Sequence, residues 1–118
     1  MRISKIICVL IVLLLLTGCG KRRIECTEVL VEEDVTVTRV VRGSLQGHDV
    51  VSRTEIITFE FTSGATAKHV YQDIKDDDKY DFRLSGTNIV AERTETLNPP
   101  QTREEFIRIA RVDGLICE

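Results

Sequence analysis

Apolar and polar positions fall into two regimes along this chain. An unbroken apolar run, Ile6 to Leu16, follows Arg2 and Lys5. It is shorter than the roughly 20 apolar residues that span a bilayer, and its positive start and short core have the form of a secretory signal. Beyond it the pattern turns to alternation. Glu25 to Leu30 carries strand signals, and Glu32-Glu33-Asp34 interrupts them. From Val35 to Leu45 the alternation resumes, with Val35, Val37 and Val41 on one face and Thr36, Thr38 and Arg42 on the other. Arg39 falls on the apolar face, against the pattern, and Gly43 marks either a bulge or an early end. Gly47-His48-Asp49 reads as a turn. Val50 to Phe61 is the next long strand, with Ile57, Phe59 and Phe61 in phase, and a hairpin across Gly47 is the simplest pairing.

At Thr62-Ser63-Gly64 the period changes. Ala67, Val70, Tyr71 and Ile74 recur at helical spacing within Ala65 to Lys75, with Ser63 as the N-cap. Asp76-Asp77-Asp78-Lys79 ends this helix; it lacks the alternating oxygens, glycine and distal glutamate of a calcium loop and reads as solvated. Tyr80, Phe82 and Leu84 then alternate with polar residues, Gly86-Thr87-Asn88 turns the chain, and Ile89 to Thr96 returns. Leu97-Asn98-Pro99-Pro100 is expected to break that strand, since proline has no amide to donate. Thr102-Arg103-Glu104-Glu105 is a capping box opening a short helix with Phe106, Ile109 and Ala110 as its buried stripe and Gly114 at C′. The expected fold is α+β: an antiparallel sheet of about four strands with two helices on one face, in the order β-β-α-β-β-α. The six aromatic residues, Phe59, Phe61, Tyr71, Tyr80, Phe82 and Phe106, are assigned to its core.

Charge and cysteine content narrow the setting. The chain has 16 Lys and Arg against 19 Asp and Glu, and loss of a leader containing Arg2 and Lys5 makes the remainder more acidic still. With no basic cluster past Arg23, nucleic acid is not an expected partner. Of the four cysteines, Cys8 lies in the leader; the resemblance of Leu16-Thr17-Gly18-Cys19 to a lipobox implies that the signal is residues 1–18 and that Cys19 takes a lipid, which leaves Cys26 and Cys117 as a pair in a compartment where disulfides persist. A bridge is the expected arrangement; two reactive thiols or half of a metal site are the alternatives. Only His48 and His69 could add ligands, and both are isolated.

The remaining cysteine lies in Leu16-Thr17-Gly18-Cys19, which resembles the lipobox of bacterial lipoproteins at every position. The resemblance implies cleavage before Cys19, a diacylglycerol thioether on its sulfur with an N-acyl chain (palmitate being typical) as a further possibility, and a bacterial cell membrane location on the extracytoplasmic face. Two acyl chains give stable anchoring where one does not. Lys21, Arg22 and Arg23 form a basic tether, residues 19–24, suited to an anionic membrane surface. Gly20 to Glu25, fully extended, reaches roughly 20 Å, which holds a single domain at 25–118 close to the headgroups. Cys26, Phe59-Glu60-Phe61, Thr102-Arg103-Glu104-Glu105 and Gly114-Leu115-Ile116-Cys117, together with the lipobox, resemble the small YehR-like lipoproteins of bacteria. That resemblance implies an envelope lipoprotein with an α+β fold and brings no catalytic residues.

Chemistry-bearing motifs are otherwise missing. No base stands beside a nucleophile, no pair of carboxylates stands out from a solvated face, and there is no phosphate loop or metal signature. The expectation is therefore no catalytic residue, no metal and no cofactor beyond the lipid on Cys19. The expected role is a protein-interaction or accessory module that docks to an envelope protein through its sheet face or edge. The alternative is a binder of small ligands using the sheet face or a helix–sheet crevice.

Overall fold

A computed structural model describes residues 23–118. The signal at 1–18, Cys19, Lys21 and Arg22 lie outside the described residues. The elements, in chain order, are β1 (Arg23–Val31), β2 (Val35–Gln46), β3 (Asp49–Phe61), α1 (Gly64–Ile74), β4 (Asp81–Ser85), β5 (Asn88–Thr102), α2 (Arg103–Val112) and β6 (Ile116–Cys117). The fold is α+β, but its sheet has six strands rather than about four, in the spatial order β4-β5-β3-β2-β1-β6 with every pairing antiparallel. Two segments account for the difference. The stretch before Glu32 is a full nine-residue strand paired with β2 along its whole length, and Ile116–Cys117 adds a short strand beside β1. Arg23 and Ile24, assigned to the tether on sequence, belong to β1, and Ile24 is buried.

Both helices cover the same face. The pairing aligns Val41 with Glu55 and Arg93, Gly43 with Arg53 and Glu95, and Ile57 with Ala91, and paired residues share a face. α1 lies against β3, β4 and β5, where Ala67, Ile89 and Ala91 are buried. α2 covers the other half: Phe106, Ala110 and Leu115 form one core with Ile24, Cys26, Val41 and Val50. Gly43 sits beneath the Phe106 ring, and a Cβ there would stand 2.9 Å from the Phe106 Cζ. Its reason is thus close approach of a ring, and the bulge lies one step on, between Ser44 and Leu45. The opposite face carries Thr38, Val40, Thr54, Ile56, Thr58, Val90 and Thr94, with Thr54 and Thr94 hydroxyls 3.0 Å apart.

Local signals set the element ends. The Ser63 hydroxyl accepts from the Thr66 amide at 3.4 Å, and the Thr102 hydroxyl accepts from Glu105 at 3.1 Å. α2 closes with Gly114 at φ 94°, Leu115 N–H donating to Ala110 and Gly114 N–H to Arg111, the paired bonds of a Schellman ending. The prolines do not end β5 as expected. Ser52 pairs with Thr96 and Val50 with Gln101, so residues 97–100 loop out, with a cis Asn98–Pro99 bond, and the strand resumes. A ladder tolerates proline where the residue bulges out of it. Of the six aromatic residues only Phe106 is buried; the other five are half-buried, because the helices leave part of the face open. Tyr80 precedes β4 rather than starting it. On α2, Ile109 is 38% exposed rather than buried, and Ile107 packs against the core.

Candidate functional sites: a buried ion network and an open sheet edge

Arg39, the residue that breaks the β2 pattern, faces Glu55 of β3. Glu55 is the buried charged residue of the described chain, at 6% exposure. Its Oε1 accepts from the Tyr80 hydroxyl at 2.7 Å, while Arg39 Nε lies 3.5 Å from Oε2 and Arg53 lies 3.9 Å from Oε1. Around this centre Arg53 and Arg93 both approach Glu95, at 3.7 and 3.9 Å, and Arg39 reaches Asp113 at the end of α2 at 3.8 Å. The Arg93 guanidinium stands 5.4 Å over the Tyr80 ring, a cation–π arrangement. Burial, followed by the hydrogen bond to Glu55, pushes the Tyr80 hydroxyl above its ordinary pKa of 10.0. The Nε atoms of Arg39 and Arg93 are buried without hydrogen-bond partners.

This network ties three strands, the approach to β4 and the end of α2 together. A buried ion carries a desolvation penalty of several kcal/mol, so Glu55 is tolerable only with these partners in place. Three arginines face three carboxylates, with the Tyr80 hydroxyl hydrogen-bonded among them; His48 and His69 are both exposed and stand outside the network, His69 pairing with Asp73 at 3.9 Å. Among the described residues no group of three His, Cys, Asp or Glu side chains converges on a common point for a metal. Beside the network, under α2, lies a pocket of about 230 Å³ bordered by Arg53, Glu95, Phe106 and Asp113. Ligand pockets ordinarily run from about 300 to 1,000 Å³.

A second site lies at the sheet edge. β6 pairs with β1 only at Cys26 and Thr27; Cys26 and Cys117 are joined by the expected disulfide, and Glu118 N–H donates to the Glu25 carbonyl. Past Thr27 no strand among the described residues lies beside the outer side of β1. There Val29, Leu30 and Val31 are 56%, 51% and 78% exposed, next to Ile116 at 76%. A groove of about 740 Å³ runs along this edge, bordered by Glu25, Thr27, Glu28, Val29, Leu30, Gly114, Ile116 and Glu118. The far edge is guarded differently: β4 has five residues and exposes Asp81, Arg83 and Ser85, the short, charged form that discourages pairing.

Of the site residues expected from sequence, Cys26 and Cys117 meet at the head of this edge. Arg23 is exposed at the start of β1, eight steps or about 27 Å from Val31 at roughly 3.4 Å per residue. Glu55, Arg53 and Arg93 were not among them, nor were Val29 to Val31. A signal for the first group exists: Arg39, Glu55 and Arg93 each place a charge in the apolar phase of a strand. For the second, the apolar run Val29-Leu30-Val31 lacks the alternation of a strand with one solvated side. The chain matches no protein-family model, no curated protein and no solved structure.

Proposed function

We propose that this chain is a lipid-anchored docking module on the extracytoplasmic face of the bacterial cell membrane, presenting the open edge of β1 to an envelope protein. The single observation that supports it best is that edge: a strand unpaired past Thr27 among the described residues, with three consecutive apolar residues half or more exposed, opposite an edge that is short and charged. Exposed apolar surface at a strand edge is a cost in solution unless something covers it. The anchor belongs to the same proposal. Cys19 carries the diacylglycerol, Lys21, Arg22 and Arg23 meet the headgroups, and β1 leads away from them, so that its apolar end stands clear of the bilayer for a partner. Catalysis is no part of this reading, and neither is a cofactor. The second reading, a small-ligand binder, has the pocket under α2 in its favour, but about 230 Å³ is little room for a ligand beside an ion network that is already paired.

Photo-crosslinking in intact cells tests the docking reading. A photoreactive residue at Val31 yields a discrete adduct with an envelope protein, and the same residue at Arg83 on the far edge does not. Equal adducts at both positions, or none at Val31, overturn it. Intact mass measurement of the native protein is expected to show the acyl mass on Cys19.

A further inference from the structure

We infer that the β1 edge receives, as an added strand, an extended segment of a partner protein with apolar residues at alternate positions and basic residues flanking them; the inference rests on the docking reading above. Three features define the occupant. The first is the backbone. Glu118 N–H donates to the Glu25 carbonyl, so the odd-numbered residues of β1 direct their N–H and C=O groups away from β2. β6 meets them as far as Thr27, and the preceding Gly114 and Leu115 amides donate within the end of α2, to Arg111 and Ala110, rather than to β1. The N–H and C=O of Val29 and Val31 therefore point outward in a row, the template that strand addition uses.

The second feature is the side chains. Val29 and Val31 lie on the face opposite the helices, in line with Ile116 across from Thr27, and Leu30 lies on the helix side. An added strand sets its own alternate residues beside these, which gives the apolar half of the motif. The third is charge. Glu25, Glu28 and Glu118 border the groove and no Lys or Arg does. Arg42 compensates Glu25 at 2.8 Å, whereas Glu28 and Glu118 make no ion pair among the described residues. The strand then runs into Glu32, Glu33 and Asp34, all exposed. A second copy of this chain is a poor occupant, because pairing centred on Leu30 places Glu28 of one copy opposite Glu32 of the other, and like charges directly opposite are destabilising. Basic residues at both ends of the incoming segment meet the acids at both ends of the edge.

The test uses the full chain in neutral detergent micelles and a blocked peptide Lys-Val-Thr-Val-Lys, compared with its Glu-Val-Thr-Val-Glu counterpart. The basic peptide is expected to shift the amide resonances of Val29 and Val31 and to bind about tenfold or more tightly than the acidic one. Its affinity falls as salt rises, since exposed charges are screened over about 10 Å at 0.1 M. Val29→Pro removes one outward N–H without touching the β2 ladder and weakens binding about tenfold. Where that variant misfolds, the same question is put to the peptide: N-methylation of the amides facing β1 abolishes binding, and methylation of the alternate amides leaves it. Equal binding of both peptides, indifference to which amides are methylated, or shifts confined to α2 overturns the inference, as does dimerisation of the chain through β1. If the Val31 adduct forms in cells but the peptides are not distinguished, the partner chemistry fails and the docking reading stands. If the adduct is missing, both fail.

Discussion

Gly43 shows how a single residue can be required by something far away in sequence. In β2 its backbone is ordinary, yet a Cβ there would stand 2.8 Å from Val50 Cγ1 and 2.9 Å from the Phe106 ring. Gly43→Ala is therefore expected to cost about 1–3 kcal/mol by overpacking, read as a lower urea midpoint with an unchanged slope. Glu55 depends on its neighbours in the same way. Glu55→Ala leaves Arg39 and the Tyr80 hydroxyl without their partner, and a loss of about 3–5 kcal/mol is expected for breaking a buried pair. Tyr80 supplies a pH signature. Its pKa is raised in the fold, so the folded chain holds that proton where the unfolded chain has released it. The stabilisation is complete below the ordinary value of 10.0 and is lost as pH climbs past it. Denaturant midpoints measured from pH 8 to 11 should fall at the alkaline end, and Tyr80→Phe should remove that part of the fall. Each of these charges could be noticed on sequence as an exception to alternation. That they converge could not, since convergence needs the register that sets Val41, Glu55 and Arg93 side by side.

Among the elements, those with strong local signals stand where the pattern placed them. Ser63 and Thr102 cap their helices, Gly114 ends the second, and Gly47 and Gly86, at φ 67° and 60°, turn the two hairpins. Such features depend on a few adjacent residues and their backbone preferences. Thr102→Ala should cost about 1 kcal/mol, measured by thermal denaturation, with loss concentrated in α2 as seen by amide exchange. Elements whose existence depends on a distant partner leave no such local signal. β6 is two residues long and is a strand only because β1 lies beside it. β5 passes through Pro99 and Pro100 because β3 offers pairing on both sides of the looped-out residues. Phe106 and Ala110 of the α2 stripe are buried, whereas Ile109 is only partly covered and Ile107 packs on the core, because the surface beneath the helix as well as its periodicity selects which side chains are covered.

At the scale of the molecule, the disulfide closes nearly the whole described chain, joining cysteines 91 positions apart. Loops of that size gain up to about 4.7 kcal/mol in the chain-entropy model, a large part of the 5–15 kcal/mol typical of a domain. Cys117→Ser should lower stability by an amount approaching that figure, measured by denaturant unfolding with and without reductant. It should also release β6 from β1 and lengthen the open edge. The sequence by itself determined the α+β class, the two helices and their caps and the hairpin turns, and it favoured a Cys26–Cys117 bridge that the structure contains. These follow from local periodicity, turn chemistry and a count of cysteines, all of which can be read without knowing what lies next to what. Only the tertiary structure decided the strand order, the six-stranded extent, the meeting of three arginines around Glu55 and the bare flank of β1. Each of these is a relation between residues distant in the chain, and an edge in particular exists only once it is known which strands have found partners and which has not.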